Sequence, residues 1–538
     1  MTSAPTSRLA AGDPSGLEGI LHQIEQAIDA AAAPFASWIE PIVFFTLPLP
    51  GPLADLPFVV IWLVSWAAII TVYLGFIQVR GLKTSFDVVR GKYSHEDDPG
   101  EISHFQALSS AVSGTVGLGN IAGVAVAVTM GGPGATFWMI LAGLLGMATK
   151  FAECTLGVKY RTIHEDGTVS GGAFQYLPVA FSRFGRIPAR VLTWMFGLAI
   201  FFFGVAGGNM FQSNQTYTIV RDTLGGEEGP LGGPGAALIF GVLLATGIAI
   251  VIIGGVKSIG RVTGRLVPAM GIIYLLSCLV VIAVNIDHVP AAFGEIIDGA
   301  FSPDGVIGGV VGALIIGFQR AAFSNEAGLG SAPIAHSAVK TRRPVSEGFV
   351  ALLEPFIDTV VICTMTALTI VIAAPQSYTS LRAQVAEAAA TGGEAPAPGG
   401  VTITAEAFAT VLPAWDYVLM VAVFLFAFST CITWAYYGEK AWHYMVGRSR
   451  VGDMIYRLIF CGFTTAGAVL NLTQVITIAD SFLFVCGFIN LLGVAFLLPK
   501  IREEMRLYLA DRKAGRLDHL GVGEESDDAS VTAREQGR

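Results

Sequence analysis

The stretch from residue 113 to 134, SGTVGLGNIAGVAVAVTMGGPG, restricts this chain most: it is apolar enough to enter a bilayer yet too rich in glycine to stay one continuous helix. Gly114, Gly117, Gly119 and Gly123 fall close together, with Asn120 among them. Each interior glycine costs a helix roughly 0.5–1 kcal/mol relative to alanine, so the cluster predicts a break. Hydrocarbon gives a freed N–H or C=O no partner, so unwound backbone at mid-membrane depth is tolerated only where it lines a cavity or lies against other helices. A helix broken at the midplane therefore points to a substrate and ion site.

The rest of the chain supports a membrane setting. Of 538 residues, 53% are hydrophobic and 14% charged, and the mean hydropathy of +0.64 is too high for a soluble protein of this length. The net charge of -9 does not imply nucleic acid as a partner. Cys154, Cys278, Cys363, Cys431, Cys461 and Cys486 lie in apolar stretches without CxxC or Cys/His metal spacing and read as small buried residues. The first 16 residues lack a basic region running straight into an apolar one, so no cleavable signal peptide is expected.

Residues 1–55 read as an interfacial segment, amphipathic in LEGILHQIEQAIDA and then interrupted by Glu40 and four prolines. The first span is 56–79, followed by ten more at 105–130, 135–158, 191–221, 235–254, 265–286, 305–333, 347–374, 411–437, 454–471 and 475–498, each near the roughly 20 residues a bilayer requires. Alternate connections hold 27 of the 32 Lys and Arg, which predicts eleven crossings with the amino terminus outside and the carboxyl terminus in the cytoplasm. The outer loop 375–410, with the helix-like run AQVAEAAA, reads as a tolerated insertion or a gate cover. Residues 499–538 form a cytoplasmic tail, expected to be disordered after 514.

A second glycine-dense span, 305–333, mirrors the first. With 56–79 set aside as peripheral, the two are the opening members of successive sets of five, 105–286 and 305–498, that start on opposite sides of the membrane. That is the layout of an inverted-topology repeat whose broken helices meet at a central site. Glycines also serve close helix packing, but two such helices in corresponding positions favour a transport site.

A half-helix N-terminus suits a carboxylate, and the facing C-terminal carbonyls suit an ammonium group or a hard cation. A zwitterionic amino acid fits that pair, with the N–H groups of Leu118 and Gly119 for the carboxylate and the carbonyls of Ser113, Thr115 and Val116 for amine or sodium. Alanine at Gly119 is expected to crowd the carboxylate and abolish uptake while leaving the protein folded. Asn120 adds a side-chain oxygen, and Ser429 and Thr430 in FAFSTCITW add hydroxyls from a later span.

The chain resembles the alanine or glycine:cation symporters in ISHFQALSSAVSGTVGLGNIAGVAVAVTMGGPGATFWM (102–139), GMATKFAECTLGVKYR (146–161), GNMFQSNQ (208–215), FSNEAGLGSAPIAHSA (323–338) and WAYYGEK (434–440). The family often carries Thr where this chain has Leu118. GLGN also resembles the broken first core helix of sodium-coupled neurotransmitter-type transporters, which have a LeuT-type fold. The resemblance implies an all-α polytopic protein, one peripheral helix plus a LeuT-type 5+5 core, that moves alanine or glycine inward with sodium by alternating access. It implies a substrate site at Gly117, Leu118 and Gly119 with the carboxylate at Leu118 and Gly119, one sodium site at Asn120 and the Thr115 carbonyl, and another at the carbonyls of Ser113 and Val116 with Ser429 and Thr430. Asn209, Gln212 and Asn214 would project from a span crossing the bundle centre, with Gln212 on the substrate's amine or carboxylate. Trp434 would close the side-chain pocket, and Gly317 and Phe318, at the break of the second special helix, would complete the cavity. Sodium is then the coupling ion, and no other cofactor is implied.

Charged groups inside spans need partners. Lys150 and Glu153, three apart on one helix, read either as neutralising each other or as taking part in transport. Arg320 with Glu326 reads as an inner-gate network or a structural pair, and the histidines lie mostly in loops, against a proton relay. Proton coupling or another small neutral substrate such as serine is the alternative. A channel lacks a filter sequence, and an enzyme lacks a Ser/His or HExxH arrangement.

Overall fold

The computed structural model describes residues 17–48, 56–95, 97–165, 167–253, 255–302, 309–393, 395–411 and 414–517. The expectations of no signal peptide in the first 16 residues and of disorder beyond 517, and the start of the span at 305, lie outside the described residues.

The described residues are helical almost throughout, apart from a two-stranded turn pairing Thr162–Ile163 with Val169–Ser170. Among the described residues, six helices are long and apolar enough to cross a bilayer alone, or up to eight if each of two bent pairs is one span. The other three expected spans overlap Ala236–Ile252, Gly309–Asn325 and Arg450–Val469, of 17, 17 and 20 residues. Helices of the two halves pack on their counterparts: Ala135–Lys159 on Pro344–Ala351, Arg186–Val205 on Trp415–Val446, and Ala236–Ile252 on Arg450–Val469. This pairing is what a 5+5 repeat produces.

Several boundaries differ from the sequence reading. The first span ends at Tyr73, where Gly75 and Phe76 adopt left-handed backbone and the chain turns by 73° into Ile77–Val89. Arg80, Lys83 and Arg90 in and just after this second part account for the turn, since basic side chains favour the membrane surface over its core. The last helix runs unbroken from Leu472 to Lys513, through Pro499, so the tail leaves it later than 499. Within the stretch read as interfacial, Leu17–Val43 is one helix, held to the last helix by stacking of Phe35 on Phe482. The outer loop folds as Gln376–Thr391 and Val401–Ala409 and sits on the core: Thr404 Oγ1 donates to the Ile121 carbonyl at 3.4 Å, and the Val401 N–H donates to Gln215 Oε1 at 2.9 Å.

Candidate substrate and ion site

The first special helix breaks where glycine predicts. Ser103 caps its first half, His104–Thr115, in a reciprocal box with Gln106. Val116 turns extended, Gly117 follows at φ -140 and ψ -149, Leu118–Asn120 make one tight turn, and Ala122–Met130 resumes the helix bent by 59°. Every residue from Ser113 to Thr129 is buried.

The second helix does not break at Gly317. Gly309–Asn325 is continuous, and Gly317 instead lets it approach the Ala135–Lys159 helix, where a Cβ would lie 2.7 Å from both the Ala135 carbonyl oxygen and Trp138 Cβ. Phe318 faces a cavity lined by Leu63, Ala142 and Leu491, on the side of the peripheral helix. The break falls at residues 326–331, where Glu326, Gly328 and Gly330 all take positive φ. Glu153 holds this segment open by accepting the N–H groups of Gly328 and Gly330 at 3.3 and 3.0 Å, and Asn490 donates to the Gly328 carbonyl at 2.8 Å. The ring reaching the first break is Phe323, 3.3 Å from where a Cβ on Gly119 would stand.

Three groups of contacts surround Gly117–Asn120. At Ser113, the carbonyl accepts Thr430 Oγ1 at 3.1 Å, and the hydroxyl donates to the Ser429 carbonyl at 3.1 Å. At Leu118, the N–H donates to Gln212 Oε1 at 3.0 Å, while Gln212 Nε2 donates to the Gly207 carbonyl at 3.1 Å. At Asn120, the side-chain oxygen accepts the Gly117 N–H at 3.0 Å, and Nδ2 donates to Asp358 Oδ2 at 2.8 Å. Asp358 also accepts Ser324 Oγ at 2.7 Å and Thr359 Oγ1 at 2.8 Å, joining both special helices to a π-helical stretch, Phe356–Cys363. Thr115 is tied only locally, its hydroxyl donating to the Ala111 carbonyl at 3.3 Å.

Trp434 is buried beside Phe203, with ring centroids 4.7 Å apart, and its Nε1 donates to Glu326 Oε1 at 3.1 Å. Gly208 makes room for it: a Cβ there would sit 2.1 Å from Trp434 Cγ. Gly208 and Asn209 belong to a π-helical bulge, 206–210. The bulge turns Asn209 away from the break, so that its Nδ2 donates to the Phe460 carbonyl and its Oδ1 accepts Thr464 Oγ1, both at 2.8 Å. Asn214 likewise donates to the Gly467 carbonyl at 3.1 Å. Replacing Asn209 with alanine is therefore expected to lower stability by about 1–3 kcal/mol, the cost of orphaning buried polar partners. Thermal unfolding of the variant beside the parent checks this.

The membrane charges pair differently from the sequence expectation. Lys150 bonds Glu354 at 2.8 Å, not Glu153, and Arg320 bonds Asp480, not Glu326. A linear pattern favours partners near in sequence, three residues away for Lys150 and six for Arg320; packing supplied partners from other helices. His104 and His336 are buried against Glu347, contrary to the loop reading. Phe323 and Asp358 stand against the first break and are not among the site residues expected from the sequence. An acidic residue inside a span was the one available signal for Asp358.

Comparisons with known proteins agree with this architecture. The model of the sodium:alanine symporter family matches residues 49–520. The sodium/alanine symporter AgcS of Methanococcus maripaludis is 37% identical over 462 residues, covering 85% of this chain and 95% of that protein. The amino-acid carrier protein AlsT of Bacillus subtilis is 32% identical over 457 residues, covering 84% and 90%. Among solved structures, MhsT in complex with L-phenylalanine superposes with a TM-score of 0.50 at 14% identity, over 76% of this chain and 99% of that one, a likeness in the LeuT-type fold. A multi-pass helical protein with this broken-helix core, matched over nearly its whole described length, belongs to the sodium:alanine symporter family.

Proposed function

We propose that this protein imports a small neutral amino acid, alanine or glycine, together with sodium by alternating access across the cell (inner) membrane, with its amino terminus outside and its carboxyl terminus in the cytoplasm. The observation that carries the reading is the break at Gly117–Asn120 with an oxygen-rich contact on each flank: Ser113 against Thr430, and Asn120 against Asp358. Sodium, a hard cation, takes such oxygens. One ion would use the carbonyls of Ser113 and Val116 with the hydroxyls of Ser429 and Thr430. The other would use Asn120, the Thr115 carbonyl and Asp358.

Gln212 Oε1 occupies the Leu118 N–H, where a substrate carboxylate oxygen would bind. Arrival of substrate then displaces Gln212, whose amide is free to turn to the substrate. Gly119 keeps the backbone close, and Phe323 and Trp434 limit the side chain to a small one.

A carboxylate at this break also favours proton coupling as a second reading, since Asp358 could carry the co-transported proton. Uptake of labelled alanine into proteoliposomes, under a sodium, a lithium or a proton gradient in turn, separates the two. Sodium is expected to drive accumulation; a proton gradient that drives it equally well without sodium sinks the sodium reading.

A further inference from the structure

The half of the bundle that carries the basic loops contains a buried chain of charged groups that the proposed symport does not use. His336 ends the short Ala332–His336 helix beyond the second break; its Nδ1 meets Glu347 Oε1 and its Nε2 meets Glu354 Oε1. Glu347 Oε2 meets Nδ1 of His104, the first residue of the first half-helix, and Glu354 Oε2 lies 2.8 Å from Lys150 Nζ. His336, Glu347, Glu354 and Lys150 are wholly buried, and His104 is 3% exposed.

A neutral imidazole has one donor and one acceptor nitrogen, and an ionised carboxylate only accepts. Both ring nitrogens of His336 face carboxylate oxygens, so the cluster satisfies its contacts only by holding one proton more than a neutral histidine with two carboxylates has. That proton also balances the charge, since two buried carboxylates face a single lysine.

The other charged groups that face this helix have partners of their own, and the buried Tyr437 hydroxyl has no hydrogen-bond partner among the described residues. Glu153 accepts the Gly328 and Gly330 N–H groups, and Cys154 packs with Ala332 and Ala351. Glu326 is bound by Ser331 and Trp434, and Tyr437 lies against Gly114. Arg161 donates to the carbonyls of Ser337 and Val339.

We infer that His336 carries an exchangeable proton that clamps the half-helices Ala332–His336 and His104–Thr115 to Glu347 and Glu354, and that loss of this proton releases them. On the alternating-access reading, on which this inference rests, these half-helices form the cytoplasmic gate. In the release step one imidazolium N–H bond breaks, its electron pair stays on nitrogen, and the proton passes to cytoplasmic water. The neutral ring then presents a lone pair to one carboxylate, and attraction becomes repulsion. The clamp is present at low pH and is lost as pH rises through the titration of the cluster.

Spin labels on Phe105→Cys and Ile187→Cys, both exposed positions, report the separation of the first half-helix from the Arg186–Val205 helix, with the half-buried Cys461 replaced by serine. The full-length protein in nanodiscs is measured without sodium or amino acid. Raising the pH from about 5.5 to about 9.5 brackets imidazole titration and is expected to raise the ratio of open to closed separations at least about threefold. His336→Gln cannot carry the proton, and Glu347→Gln removes the need for it, so both are expected to give pH-independent distributions. An unchanging distribution in the labelled parent, or a His336→Gln variant that responds as the parent does, overturns the inference. If His336→Gln does not fold, Glu347→Gln decides by the same criterion. Because the readout needs no transport, it can fail or succeed separately from the uptake test of symport.

Discussion

Replacing Gly117 with alanine is expected to weaken sodium-driven alanine uptake, with apparent affinity lowered about 5- to 150-fold, in a protein that still folds. Its φ of -140 is open to any residue, so the effect is steric and not conformational. A Cβ at this position would stand 2.5 Å from Thr430 Oγ1 and 3.1 Å from Gln212 Oε1. Relieving the first contact moves the hydroxyl off the Ser113 carbonyl, and relieving the second moves the amide off the Leu118 N–H. Overpacking of this kind costs about 1–3 kcal/mol, which as lost binding is about 5- to 150-fold in affinity at each coupled ligand. Sodium and alanine titrations by uptake, with thermal unfolding as the folding control, check it. Gly119→Ala is expected to be milder, because its nearest neighbours, Phe323 Cδ1 at 3.3 Å and Ser324 Cα at 3.4 Å, need give only a few tenths of an ångström. Wild-type transport by Gly117→Ala would remove the break from the proposed site.

Asp358→Asn is expected to lower apparent sodium affinity by at least about a hundredfold. The carboxylate touches Asn120 at the first break and Ser324 in the last turn of the second special helix, so its charge sits where a cation at the first break can meet both helices. A unit charge about 4 Å from a cation is worth about 4 kcal/mol at an effective dielectric of about 20, enough for that loss even after partial compensation by the amide oxygen. The asparagine keeps one acceptor for Ser324 or Thr359, which limits the damage to folding. Sodium-dependent thermal stabilisation and the sodium dependence of uptake should both weaken. A variant with unchanged sodium dependence would make Asp358 a purely structural hub.

Much of the fold was legible because hydropathy and glycine act locally. Eight expected spans coincide with helices or bent pairs able to cross a bilayer, and the first break lies where four glycines and Asn120 predicted it. Ser113, Ser429 and Thr430 do meet, though more than three hundred residues separate them in the chain. The second break was misplaced because glycine plays two roles. At Gly317 it buys close packing inside a continuous helix, whereas at Gly328 and Gly330 it supplies positive φ. A linear pattern does not distinguish these, since the difference is whether another backbone lies opposite.

What the sequence alone determined was the membrane class, the helical spans, the first break and the oxygen-bearing residues around it, because burial in hydrocarbon and backbone propensity are properties of short segments. Only the tertiary structure decided the pairings: Lys150 with Glu354, Arg320 with Asp480, His336 between two glutamates, Asn209 turned to Phe460, and Asp358 brought to Asn120. Each depends on which helix faces which, and at what rotation. A rotation of one residue, about 100°, changes a side chain's partner without changing the hydropathy that placed its helix in the membrane.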